Sequence, residues 1–190
     1  MDKLLKESSS TTKPVGIYEW FVDLIHSIAT ARMLSQKANV NGSLIEGLCL
    51  YVSIIDGFLR LSIIYTRTQK SPNHTYSIEK KLIRQDDNEN TYSEKEIYKL
   101  ALKEEIIQKD IYDKLIEMYN FRNKVVHRFS ISNVSYSEVA KACETYEHIY
   151  NKIFNILEVL EYGNKGRPSL NKNEKETIFK KINSKILGEP

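Results

Sequence analysis

The chain has 190 residues, a formal net charge of +3, 41% hydrophobic and 28% charged residues. That fits one folded domain with a sizeable core, and the charge is too small to require a nucleic-acid partner. Two cysteines, Cys49 and Cys143, exclude a disulfide framework and read as free thiols on apolar helical faces. No Cys/His grouping has zinc spacing, so neither a metal nor another cofactor is expected.

Residues 1–14 are polar and Ser/Thr-rich, a composition that predicts disorder; they lack the apolar run of a signal peptide. A first helix is predicted from about Val15 to Ala38, with Ile17, Trp20, Phe21, Leu24, Ile25 and Ile28 on its apolar face. Asn39, Asn41 and Gly42 punctuate its end. Ser43, with Glu46 three residues on, matches a capping box. The second helix, Leu44 to about Thr68, is apolar nearly all round and should be central. Glu46, Asp56 and Arg60 interrupt its apolar stretch, which argues against a membrane span. A reducing cytoplasm fits these features.

Residues 69–92 form a long polar connection with a helical turn expected around Ile78 to Ile83. Ser93 and Glu96 form a second capping-box pattern. The helical pattern then continues, with a break near Lys109-Asp110, to about Phe129. A last helix from about Tyr136 to Tyr162 carries a heptad seam of Val139, Cys143, Tyr146, Tyr150, Ile153, Leu157 and Leu160. That seam suits packing on neighbouring helices or on a second subunit. Gly163 is placed to end the helix.

From Gly163 to Pro190, seven Lys/Arg stand against three Glu, a surplus of four positive charges that leaves residues 1–162 at −1. This basic tail contains Gly166-Arg167-Pro168 and a weak amphipathic stretch with Ile178, Ile182 and Ile186. It reads as a solvated tail with a docking helix, or as a nucleic-acid contact. The whole pattern predicts an all-α, four-to-five-helix up-and-down bundle over 15–162, with no sheet, followed by the tail.

Chemistry concentrates in Phe121-Arg-Asn-Lys-Val-Val-His-Arg-Phe129. On a wheel of about 100° per residue, Leu115, Met118, Phe121, Val125 and Phe129 share one face, and His127 lies about 160° from its centre. His127 is therefore either an ordinary exposed histidine or a functional one, with Asn123 and Tyr119 on its side. Arg122 falls at the edge of the apolar face, where a guanidinium needs a partner. Asp56 is the mirror case. It can pair with Arg60 at i,i+4, or reach across the bundle to Arg122. An Arg and a His without metal ligands suit phosphodiester cleavage: the imidazole moves protons and the guanidinium stabilises charge on the phosphate. The nucleophile would be a ribose 2′-hydroxyl, which implies RNA. One His cannot readily be acid and base in one step, so two copies in a homodimer would share the roles. Lys124 and Arg128 flank the motif and would bind RNA phosphates.

Arg122-Asn-Lys-Val-Val-His127 resembles the R-x(4–6)-H motif of the HEPN superfamily, often R-N-x-x-x-H, late in a helical bundle and followed by a long closing helix. The resemblance covers roughly residues 15–162. It implies a metal-independent endoribonuclease of a toxin–antitoxin, abortive-infection or CRISPR setting, dimeric, with Arg122 and His127 catalytic and Asn123 their polar support. A cognate antitoxin or defence-system partner is implied as well. HEPN toxins paired with nucleotidyltransferase antitoxins often continue H-x-Y. Here the sequence reads His127-Arg128-Phe129, and Phe129 has no hydroxyl to modify. Two other functions are compatible with the sequence: a non-catalytic HEPN-like module that binds RNA, a nucleotide or a protein, and an unrelated helical regulator whose tail binds nucleic acid.

Overall fold

A computed structural model describes residues 17–71, 78–83 and 91–163. They form α1 (Ile17–Val40), α2 (Leu44–Lys70), α3 (Lys80–Ile83), α4 (Glu94–Lys103), α5 (Lys109–Arg128) and α6 (Tyr136–Gly163), with a 3-10 turn at Phe129–Ile131. The result is an up-and-down helical bundle with no strand among the described residues. The segment 1–14 and the basic tail beyond Gly163 lie outside them.

The chain reverses after α1 at Gly42, whose φ of +71° is open to glycine at little cost. The amide of Ser43 returns to the Ala38 carbonyl at 2.8 Å. Ser43 does not cap α2 with its side chain, contrary to the capping-box pattern. Its backbone (φ −79°, ψ 68°) departs from the extended conformation typical of a capping residue.

α2 is the axis of the bundle and packs most extensively on α6 and α1. By length and mean hydropathy (1.7) it could cross a membrane, but 72% of that window is buried inside the fold. Leu48, Ile54, Ile55, Leu59, Ile63 and Ile64 are inaccessible to solvent. α1 approaches so closely that a Cβ on Gly57 would fall 2.5 Å from Cγ1 of Ile28. The heptad seam of α6 is buried from Val139 to Leu157, with Tyr150 and Phe154 stacked on each other and packed on Phe58. The seam is thus consumed within the chain and offers no surface to a second subunit.

α4 opens on the expected capping box: the Ser93 amide donates to Glu96 at 2.7 Å and the Glu96 amide to the Ser93 hydroxyl at 3.4 Å. A second box, Ser135 with Glu138, opens α6. The break between α4 and α5 falls at residues 104–108, slightly before the expected position, and Lys109 opens α5. It is a Schellman closure. The Ile106 amide reaches the Ala101 carbonyl at 2.9 Å and the Glu105 amide reaches Leu102 at 3.1 Å, with Glu105 at φ 62°.

Candidate active site

Arg122 and His127 lie on the last two turns of α5, with Leu115, Met118 and Val125 buried on the face that packs inward. This leaves Arg122 at the margin of the core and His127 exposed, as the wheel requires. Asn123 is half-buried, whereas Lys124 and Arg128 are exposed. His127 makes no hydrogen bond or ion pair with a described residue. Lys124 lies close enough to the start of α6 to help hold the Glu138 carboxyl below its usual range, after the larger effect of the Ser135 hydrogen bonds.

The partner of Arg122 is Glu94, the first residue of α4, and not Asp56. Nη2 of Arg122 donates to Oε2 of Glu94, with the two side chains only 21% and 16% exposed. Glu94 Oε1 accepts from the Tyr98 hydroxyl at 2.5 Å, one turn along α4. The Arg122 guanidinium also stands 5.1 Å from the Tyr119 ring centre, and Lys95 stands 4.4 Å from the same ring. Asp56 instead accepts from Nε of Arg60 at 2.6 Å. The i,i+4 geometry wins because Arg60 has further acceptors within reach. Its remaining nitrogens donate to the carbonyls of Leu82 at 3.1 Å and Tyr92 at 2.9 Å, tying α2 to α3 and to the approach to α4.

These groups form one polar layer across the bundle. Burial raises the Asp56 carboxyl above its usual range against the pull of Arg60. Burial likewise raises Glu94 against Tyr98 and Arg122, with the Asp56 charge adding to the rise. Tyr98, beside Glu94, is held well above the usual phenol range, first by burial. Tyr146 is raised by burial as well, and its hydroxyl is an enclosed group with no partner among the described residues, as are Asp56 Oδ1 and Arg122 Nε. Both cysteines are free, and burial pushes the Cys143 thiol up to about 11. Among the described residues, no group of three or more His, Cys, Asp or Glu could hold a metal ion.

Sequence reasoning missed Glu94 and Tyr98. A signal was present: Glu94 stands on the same stripe as Ile97, Tyr98 and Ala101, the three buried residues of α4, so a carboxylate occupies an apolar position. The chain matches no protein-family model, no curated protein and no solved structure.

Proposed function

We propose that this protein is an endoribonuclease of the HEPN type, acting in the cytoplasm as a toxin or anti-phage defence component. The observation that carries the reading is the division of α5 at its end. An arginine is held at the core margin by a carboxylate, and five residues later a histidine stands exposed with no partner among the described residues. In this reading His127 takes the proton of a ribose 2′-hydroxyl. The 2′-oxygen then bonds to phosphorus, and the bond to the 5′-oxygen breaks. A second imidazole protonates the departing 5′-oxygen, and Arg122 stabilises the charge on the phosphoryl oxygens. The products are a 2′,3′-cyclic phosphate and a 5′-hydroxyl. Lys124 and Arg128 attract the flanking phosphates.

The second imidazole comes from the His127 of another copy. With the α6 seam buried, that contact falls to the motif's own end of the bundle. Val40, Ile131 and Tyr136 are 86%, 85% and 55% exposed there, and Val126 is 41% exposed. The Tyr136 hydroxyl donates to the Gly42 carbonyl and so brings the α1–α2 turn beside the α5–α6 connection. Pairing through this end sets two histidines near one axis.

The burial of Arg122 against Glu94 favours a second reading, in which the arginine is structural and the chain is a non-catalytic HEPN-like binding module. Cleavage of labelled RNA by the wild type and by His127→Ala, with EDTA present, separates the two. The ribonuclease reading expects cleavage only by the wild type, and equal rates end it. Light scattering that finds only monomer at high micromolar concentration removes the shared-histidine mechanism.

A further inference from the structure

Arg122 is a long side chain whose rotamer freedom is lost when it binds an anion. In this fold most of that freedom is already gone. Nη2 is taken by Glu94 Oε2, and Nε is enclosed with no partner among the described residues. The ring of Tyr119 lies 5.1 Å from the guanidinium carbon. Nη1 is neither hydrogen-bonded to a described residue nor among the enclosed orphan atoms, so it is the edge left to meet a ligand. Glu94 is fixed in turn. It follows the Ser93 cap directly, and its other oxygen accepts from Tyr98, which is inaccessible to solvent.

We propose that Glu94, braced by Tyr98, is a positioning residue: it aims Arg122 so that Nη1 points at the scissile phosphate. The proposal rests on the ribonuclease reading above and adds to it two residues outside the motif. Glu94 touches no substrate and acts through Arg122. Its carboxylate weakens the net positive charge at the site, but it fixes direction, and direction is what an in-line displacement requires.

The test uses the full chain with Glu94→Ala, Glu94→Gln, Tyr98→Phe and Arg122→Ala, each checked for folding by circular dichroism. Glu94→Ala should lower kcat for RNA cleavage by about tenfold to a hundredfold, while KM, set by Lys124 and Arg128, moves less than about threefold. Glu94→Gln keeps an acceptor for Nη2 and should recover most of the rate. Tyr98→Phe should cost only severalfold. Glu94→Ala combined with Arg122→Ala should be no slower than Arg122→Ala alone. Additive losses, or a loss confined to KM, would overturn the proposal. A second readout does not depend on catalysis: the Arg122 Nε–H signal in nitrogen-15 NMR, assigned by its disappearance in Arg122→Lys. It should exchange slowly with water in the wild type and quickly in Glu94→Ala. A wild type that leaves RNA intact ends the ribonuclease reading, and the NMR experiment still judges the Glu94 bracket. Equal exchange in the wild type and Glu94→Ala rejects it.

Discussion

The two sides of α2 are built on different principles. Toward α1 and α6 the contacts are aliphatic and aromatic, continuous from Leu48 to Ile64 and along the α6 seam. Toward α4 and α5 the chain half-buries two arginines and two carboxylates with Tyr98 in one layer, which Tyr146 reaches from the α6 seam; among the described residues, three of their polar atoms have no partner. The first arrangement is the ordinary way to stabilise a bundle. The second is poorly suited to that end, since a buried ion pair gains little over apolar residues of the same volume. The polar layer includes Arg122, one of the two residues proposed as catalytic. A layer that contributes little stability and fixes an arginine is the pattern expected of a site.

The contrast breaks most sharply under substitution. Ile153→Ala, at an inaccessible seam position, should destabilise the fold by about 2–5 kcal/mol in urea denaturation. Arg122→Ala should cost about 3 kcal/mol or less, because the guanidinium is still one-fifth exposed. The decisive variant is Arg122→Met with Glu94→Leu. On the polar side it should return stability to within about 1 kcal/mol of the wild type, with RNA cleavage lost. On the apolar side no double substitution with polar residues should do the same. A double variant as unstable as Arg122→Ala would show that the ion pair itself holds the bundle.

How much of this contrast was legible depended on the range of each interaction. The α6 seam, the Ser93 cap and the outward His127 are local patterns, set by a few residues on one helix, and each stands where periodicity puts it. The partner of Arg122 lies 28 positions away. Its choice depends on how α4 returns across α2, which periodicity does not encode. Asp56 was ambiguous for the same reason, and the local partner Arg60 prevailed. Ser43 failed as a side-chain cap because the tight Gly42 turn sets its backbone.

Gly57→Ala probes the tightness of the apolar side. The new methyl would fall 2.5 and 2.7 Å from two carbons of the buried Ile28. A loss of about 1–3 kcal/mol is expected; Ile28→Ala removes both of those carbons, so the double variant should lose less than the sum of the two single losses.

The polar side should also show in pH dependence. Asp56 and Glu94 titrate above their ordinary values of 3.8 and 4.5, chiefly because both are buried. Between the ordinary and the raised values the folded chain holds more protons than the unfolded one, so these groups make stability fall as pH rises through that window. Glu96 and Glu138 act oppositely. Their serine hydrogen bonds lower them, and their contribution is lost as pH falls through the lowered values. The urea midpoint should therefore rise modestly as pH falls through the raised Asp56 and Glu94 values, and turn over as pH falls further through the lowered Glu96 and Glu138 values. In Glu94→Gln the rise should shrink, and an unchanged profile would remove Glu94 from the account.

The smallest expected effect lies where α4 hands over to α5. Glu105 holds φ 62°, in the Schellman position that glycine usually fills, and it is exposed. A non-glycine residue there is strained by about 1–2 kcal/mol, while glycine brings about 0.5–1 kcal/mol of extra unfolded-chain entropy. Glu105→Gly should therefore stabilise the fold by about 0.5–1 kcal/mol. Removing a charge next to Glu104 could produce a gain by another route, and Glu105→Ala tells the two apart. Alanine deletes the same carboxylate but keeps the Cβ, and so keeps the strain. It should leave the urea midpoint almost unmoved, whereas glycine raises it. Equal gains from both would assign the effect to charge. The turn's conformation would then be no burden on the polar side, and the difference between the two sides of α2 would rest on the ion-pair layer alone.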